Sequence, residues 1–113
     1  MNDLRAFLSS IEERGQLQHV SGADQYLEIG SLSQIVRRDE LGHALLFEEI
    51  PETISGSRIV TNALDTPLQV TLALGHEPTT SVREAVVQQK ERANDMETRP
   101  VKMVSTGPVF DNI

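Results

Sequence analysis

The sequence has no cysteine and no tryptophan, one tyrosine and three phenylalanines in 113 residues. The missing cysteines exclude disulfides, thiolate metal sites and cysteine nucleophiles together. With aromatics at 4%, a core has to be built from Leu, Ile, Val and Ala, which suits helices packed on a sheet. No run approaches the roughly 20 apolar residues of a membrane span, so no membrane partner and a cytoplasmic setting are expected. Positive charge is also scarce: ten Lys and Arg against seventeen Asp and Glu give a net charge of -7. That field repels phosphate backbones. The basic residues are dispersed, and their only adjacent pair, Arg37 and Arg38, reads as a solvated helix end, so no nucleic-acid partner is expected.

What is present is a balanced composition, 38% hydrophobic and 24% charged, in a chain long enough for one core. A single α/β domain over residues 1–113 is expected. Asp3 can cap a helix whose Leu4, Phe7, Leu8 and Ile11 share one face, with Gly15 as its left-handed stop. Glu12, Glu13 and Arg14 at its end read as a solvated face. Leu17 to Val20 alternates as a half-buried strand does, with His19 on its outer side. Leu27, Leu32, Ile35 and Val36 suggest a second helix, although Gly30 within it costs about 1 kcal/mol relative to Ala.

Beyond Gly42, the unbroken apolar run Ala44 to Phe47 predicts a central strand covered on both faces. Pro51 closes it, and Glu52 to Ser57 reads as a loop before a further strand from Ile59 to Leu64. Thr66 and Pro67, cap and first-turn proline, open a short helix through Leu68 and Leu72 to Gly75. Ser81 and Glu84 form a capping box for a polar surface helix from Val82 to about Asn94, with Val82, Ala85, Val86 and Ala93 as a narrow apolar stripe. Val101 to Val104 predicts one more extended strand. The alternation implies a single layer of mixed β-sheet, about four strands, with covering helices.

Chemistry is harder to place. His19, His43 and His76 lie at three element boundaries without metal-ligand spacing and read as exposed or capping histidines, His76 beside a helix C-terminus. Ser55, Gly56 and Ser57 lack the frame of a nucleophile elbow, and no phosphate-cradling glycine motif exists. Glu48 and Glu49 end the central strand, where α/β proteins often carry sites, but neighbouring strand residues point to opposite faces and cannot form a dyad. They read as surface or loop-capping residues, the alternative being one inward-facing carboxylate. Asn62 reads as satisfying backbone groups near a turn.

An ordered series of segments, Asp3 to Leu8, Glu12 to Leu17, Leu27 to Ile29, Ala44 to Glu48, Asn62 and Leu72 to Gly75, resembles the opening of the UbiD family of reversible decarboxylases, the 3-octaprenyl-4-hydroxybenzoate carboxy-lyases. Arg99 to Lys102 and Gly107 to Ile113 are similar to the stretch that leads into that family's flavin-binding domain. The resemblance departs at Asp65 to Gln69, where family members often carry Gly-Ser and basic residues, and no anion contact is carried over. It implies an N-terminal α/β domain of a decarboxylase of aromatic or α,β-unsaturated acids. It also implies prenylated FMN with a divalent metal and potassium in the assembled complex. The family's Glu-Arg-Glu catalytic set and cofactor motifs lie beyond the last residue here. No catalytic, cofactor-binding or metal residue is therefore assigned, and no cofactor is expected on this chain alone. The expected role is a small or accessory subunit in a hetero-oligomer with a larger UbiD-like catalytic chain. That partner would cover an apolar patch on the sheet or around Val109, Phe110 and Ile113. The alternative is a free-standing interaction or regulatory module that kept the fold without the chemistry.

Overall fold

A computed structural model describes residues 3–40 and 42–112. Asp3, extended at φ -155°, turns its carboxylate onto the Ala6 amide at 2.8 Å and starts helix α1 (Leu4–Glu13). Gly15, at φ +71°, then lets the chain reverse into strand β1 (Leu17–Ser21). Helix α2 (Glu28–Arg38) returns the chain to strand β2 (Ala44–Glu48), which runs parallel to β1 with Leu17 opposite Ala44 and Ser21 opposite Glu48. Strand β3 (Ile59–Thr61) pairs antiparallel with the other side of β2, Leu46 opposite Val60. The sheet order is β1-β2-β3. Helix α3 (Pro67–Ala73), helix α4 (Val82–Asp95) and a 3₁₀ turn (Pro108–Asn112) complete the chain.

The mixed α/β sheet is as expected, but it has three strands and not about four. Val101 to Val104 forms no strand. A strand exists only through ladder hydrogen bonds to a neighbour, and among the described residues this segment pairs with none; Val101 and Met103 are 86% and 88% exposed. β3 is also shorter than its apolar run suggests, because Asn62 takes a left-handed φ of 58° and turns the chain out of the sheet.

β2 is the centre, as its unbroken apolar run predicts. Ala44, Leu45, Leu46 and Phe47 are all buried, and their side chains alternate between two separate clusters. Ala44 and Leu46 meet Phe7, Leu8 and Ile11 of α1 and Leu72 of α3 on one face. Leu45 and Phe47 meet Ala23, Ile29 and Ile50 on the other. The flanking strand β1 follows this division: Leu17 packs with the first cluster and Val20 with the second. Its apolar residues thus serve both faces, and the strand does not alternate between core and solvent.

α2 meets the sheet along Ile29 and Val36, seven residues and two turns apart. Leu27, Leu32 and Ile35, which the sequence places on the same apolar face, are exposed. α4 buries no residue and meets the rest through polar contacts with the end of α3: His76 Nε2 donates to Gln89 Oε1 at 2.8 Å, and Gln88 holds both backbone groups of Glu77. With the extended segment that follows, this gives a flat body of 45 × 44 × 22 Å. Its Cα radius of gyration is 17.6 Å, against about 13 Å for a compact domain of this length.

Candidate functional site

The densest charged constellation lies on the α1 face of the sheet, at the rim of the first cluster. In β1, Leu17 and His19 point to that face; in β2, so do Ala44, Leu46 and Glu48. His19 is thereby brought beside the last turn of α1 and the end of β2. Its Nε2 lies 2.6 Å from Glu12 Oε1 and its Nδ1 lies 3.1 Å from Glu48 Oε2. Arg58, just before β3, stands 3.8 Å from the other oxygen of Glu48. One imidazole therefore links an α-helix to a neighbouring strand.

Two carboxylates on two ring nitrogens favour the doubly protonated imidazolium, because only that form donates from both. The hydrogen bond to Glu12 is the largest cause raising the His19 pKa above its ordinary value, followed by that to Glu48; desolvation opposes them. The side chain is 45% exposed, so water screens these interactions. Glu49 leaves this group: at φ 49° it swings out of the strand, and its carboxylate accepts from the Ser21 hydroxyl at 2.7 Å. Glu48 and Glu49 therefore take different partners.

A second polar group lies between α2 and the end of β3. Arg37 sets its fork on Asp65, Nε to Oδ2 at 3.0 Å and Nη2 to Oδ1 at 3.2 Å, and also reaches Asn62 Oδ1 at 3.3 Å. Asn62 is buried and donates from Nδ2 to the Ser33 carbonyl at 2.9 Å. This bears out the turn-satisfying role read for Asn62, and it gives Arg37 a folded partner beyond the solvated helix end. Asp65 is the acceptor of this Arg37 fork. The group ties α2 to the loop before α3.

The remaining candidates stay apart. His43 is half-buried beside Gly42, and His76 faces α4 through Gln89. Ser55, Gly56 and Ser57 lie in an open loop near Glu49 and Thr53. No group of three or more His, Asp or Glu among the described residues is arranged to hold a metal ion. No helix among them is long and apolar enough to cross a membrane. Chemically, the His19 group can hold and release a proton and can bind elements together.

Sequence reasoning passed over Glu12 as a solvated residue and His19 as a lone one. The signal was present in the strand alternation: a parallel β1–β2 pairing puts His19 and Glu48 on one face. It becomes usable only when strand order is known, which local patterning does not supply.

The N-terminal domain family of the 3-octaprenyl-4-hydroxybenzoate carboxy-lyases matches residues 8–87. Two solved structures of the vanillic acid decarboxylase of Sedimentibacter hydroxybenzoicus (ShVdcCD) in open form share the fold. One aligns with a TM-score of 0.73 at 26% identity over 81% of this chain. The other, with truncated ShVdcD, aligns with a TM-score of 0.75 at 25% identity over 84%. In both, the match covers 20% of the solved chain, so the present chain spans about a fifth of their length.

Proposed function

Because the chain belongs to the 3-octaprenyl-4-hydroxybenzoate carboxy-lyase N-terminal domain family, we propose that it serves a UbiD-like reversible decarboxylase as an accessory subunit. In this reading it packs against a larger catalytic chain in the cytoplasm. The substrate class is that of aromatic or α,β-unsaturated carboxylic acids; the likeness to a vanillic acid decarboxylase supports the aromatic side of that class. Prenylated FMN, with a divalent metal and potassium, would be held by the larger chain; the main charged groups among the described residues are the proton-holding His19 group and the Arg37–Asp65 pair.

The observation that carries this reading is the excess surface. The chain exposes 8785 Å², where a compact monomer of 12.5 kDa exposes about 6,200 Å². The difference, about 2,600 Å², is well above the roughly 800 Å² per partner of a standard interface and matches permanent complexes. Much of it is apolar: Val82 and Val86 on α4, then Met96, Val101, Met103, Val104 and Val109, all exposed. Val109 and Phe110, around which a patch is expected, are exposed as well, while Ile113 lies outside the described residues. In the sheet, the central strand is buried on both faces, and Ile59 of β3 is exposed.

Affinity capture of the chain from native lysate, with mass spectrometry and absorbance of the eluate, tests this. A larger UbiD-like chain carrying flavin absorbance is expected, with no such absorbance from the isolated chain. Recovery of no flavin-binding partner, with the chain alone running as a stable monomer or homodimer, would overturn it in favour of a free-standing interaction module.

A further inference from the structure

The His19 group joins three pieces of the fold, α1, β1 and β2, through one titratable ring. Glu12 is in the last turn of α1, His19 is in the middle of β1, and Glu48 is the last residue of β2. We propose that His19 is a proton-operated clasp, closed between α1 and the end of β2 when the ring is doubly protonated and opened on one side when it is neutral.

The geometry sets the two states. An imidazolium donates from Nε2 to Glu12 at 2.6 Å and from Nδ1 to Glu48 at 3.1 Å. Neutral imidazole has one N–H and one lone pair. Its unprotonated nitrogen then meets a carboxylate oxygen lone pair to lone pair, and that contact repels. The arm to Glu48 is the one that opens, because it is the longer and because Glu48 keeps a second cation, Arg58, at 3.8 Å. Glu12 has no such alternative among the described ion pairs.

The charged groups around the ring agree with this assignment. On α1, Arg14 turns away and donates to the Ser10 carbonyl, which leaves Glu12 as the group that reaches His19. On the β2 side, Glu49 is engaged by Ser21, leaving Glu48 and its neighbour Arg58. The ring's pKa is raised by the two carboxylates, so the clasp's contribution is fully present below about pH 6.5 and fades as pH rises through the raised value. Opening frees the end of β2, at Glu48 and Glu49, from the helix across its face.

The test is a ¹H–¹⁵N titration of the His19 ring in the 113-residue chain between pH 5 and 9, with hydrogen exchange of the Gly22 amide, which donates to the Glu48 carbonyl at 3.1 Å, alongside. The expected midpoint lies above 6.5, both nitrogens are protonated below it, and Glu12→Gln and Glu48→Gln each lower it, Glu12→Gln more. Exchange of that Gly22 amide, relative to α3 amides at the same pH, should rise through that midpoint and be independent of pH in Glu48→Gln. The wild-type titration stands even if a variant folds poorly. A midpoint at or below 6.5, indifference to both substitutions, or Gly22 exchange that ignores the midpoint overturns the clasp.

Discussion

Thr66 and Gln69 cap each other across the first turn of α3: Thr66 Oγ1 accepts the Gln69 amide at 3.2 Å, and Gln69 Oε1 accepts the Thr66 amide at 3.1 Å. Gln69 is fully buried, and its amide side chain also receives the Asp65 amide at 2.8 Å and donates to the Gly42 carbonyl. It thus satisfies three backbone groups from two loops. Gln69→Ala should destabilise the chain by about 2–4 kcal/mol, since it strands those groups and leaves a void. Thr66→Ala should cost about 1 kcal/mol. Urea denaturation of both and of the double variant should show a coupling of at least about 0.5 kcal/mol, because the two share one network.

Asn62 offers a test of backbone against side chain. Its φ of 58° suits glycine, while its side chain holds the Ser33 carbonyl and Arg37. Asn62→Ala loses the hydrogen bonds and keeps a β-carbon in the left-handed region without the tolerance that Asn has for it, whereas Asn62→Gly loses the bonds and removes the β-carbon. Thermal denaturation should rank wild type above Gly and Gly above Ala, the last two separated by about 1 kcal/mol.

Phe47 is fully buried on the α2 face of β2, and Ile11 is fully buried on the α1 face. Phe47→Ala should cost about 3–5 kcal/mol and Ile11→Ala about 2–5 kcal/mol, in a domain whose whole stability is of order 5–15 kcal/mol. Because β2 joins both clusters, either change should lower one cooperative transition seen by circular dichroism, with no separate loss of one face.

The exposed apolar side chains behave in the opposite way. Val101→Ser, Met103→Ser and Phe110→Asp alter side chains that the chain leaves in water. Each should change its stability by no more than about 0.5 kcal/mol. Each should weaken retention of the larger chain in the capture experiment, and unaltered retention in all three would remove these residues from the interface.

Much of the fold was legible in local chemistry. Asp3, Thr66 and Ser81 cap the helices read from them, although Glu84 does not complete a capping box because its carboxylate takes the Thr79 hydroxyl, and the run from Ala44 to Phe47 is the central strand. Asn62 and Gln69 mark what was less visible: a left-handed turn shortened β3, and a buried amide joined loops far apart in sequence. Val101 to Val104 has the residues of a strand but no neighbour to pair with. The site was the least legible part, since Glu12, His19 and Glu48 are seven and twenty-nine residues apart. Only the parallel pairing of β1 with β2 brings them to one face.

The two clusters on either face of β2 draw their last buried apolar side chain from Leu72, and α4 buries none. Heat-capacity change on unfolding follows the apolar area newly wetted, so the segment beyond Gly75 should add little to it. Calorimetry of the isolated chain should give about 1.0 kcal/mol/K, the value for its first two thirds, where a fully packed chain of this length gives about 1.5 kcal/mol/K. Under the proposed subunit role, the shortfall would appear as extra heat capacity released on docking to the larger chain, so that association would complete what folding alone leaves undone.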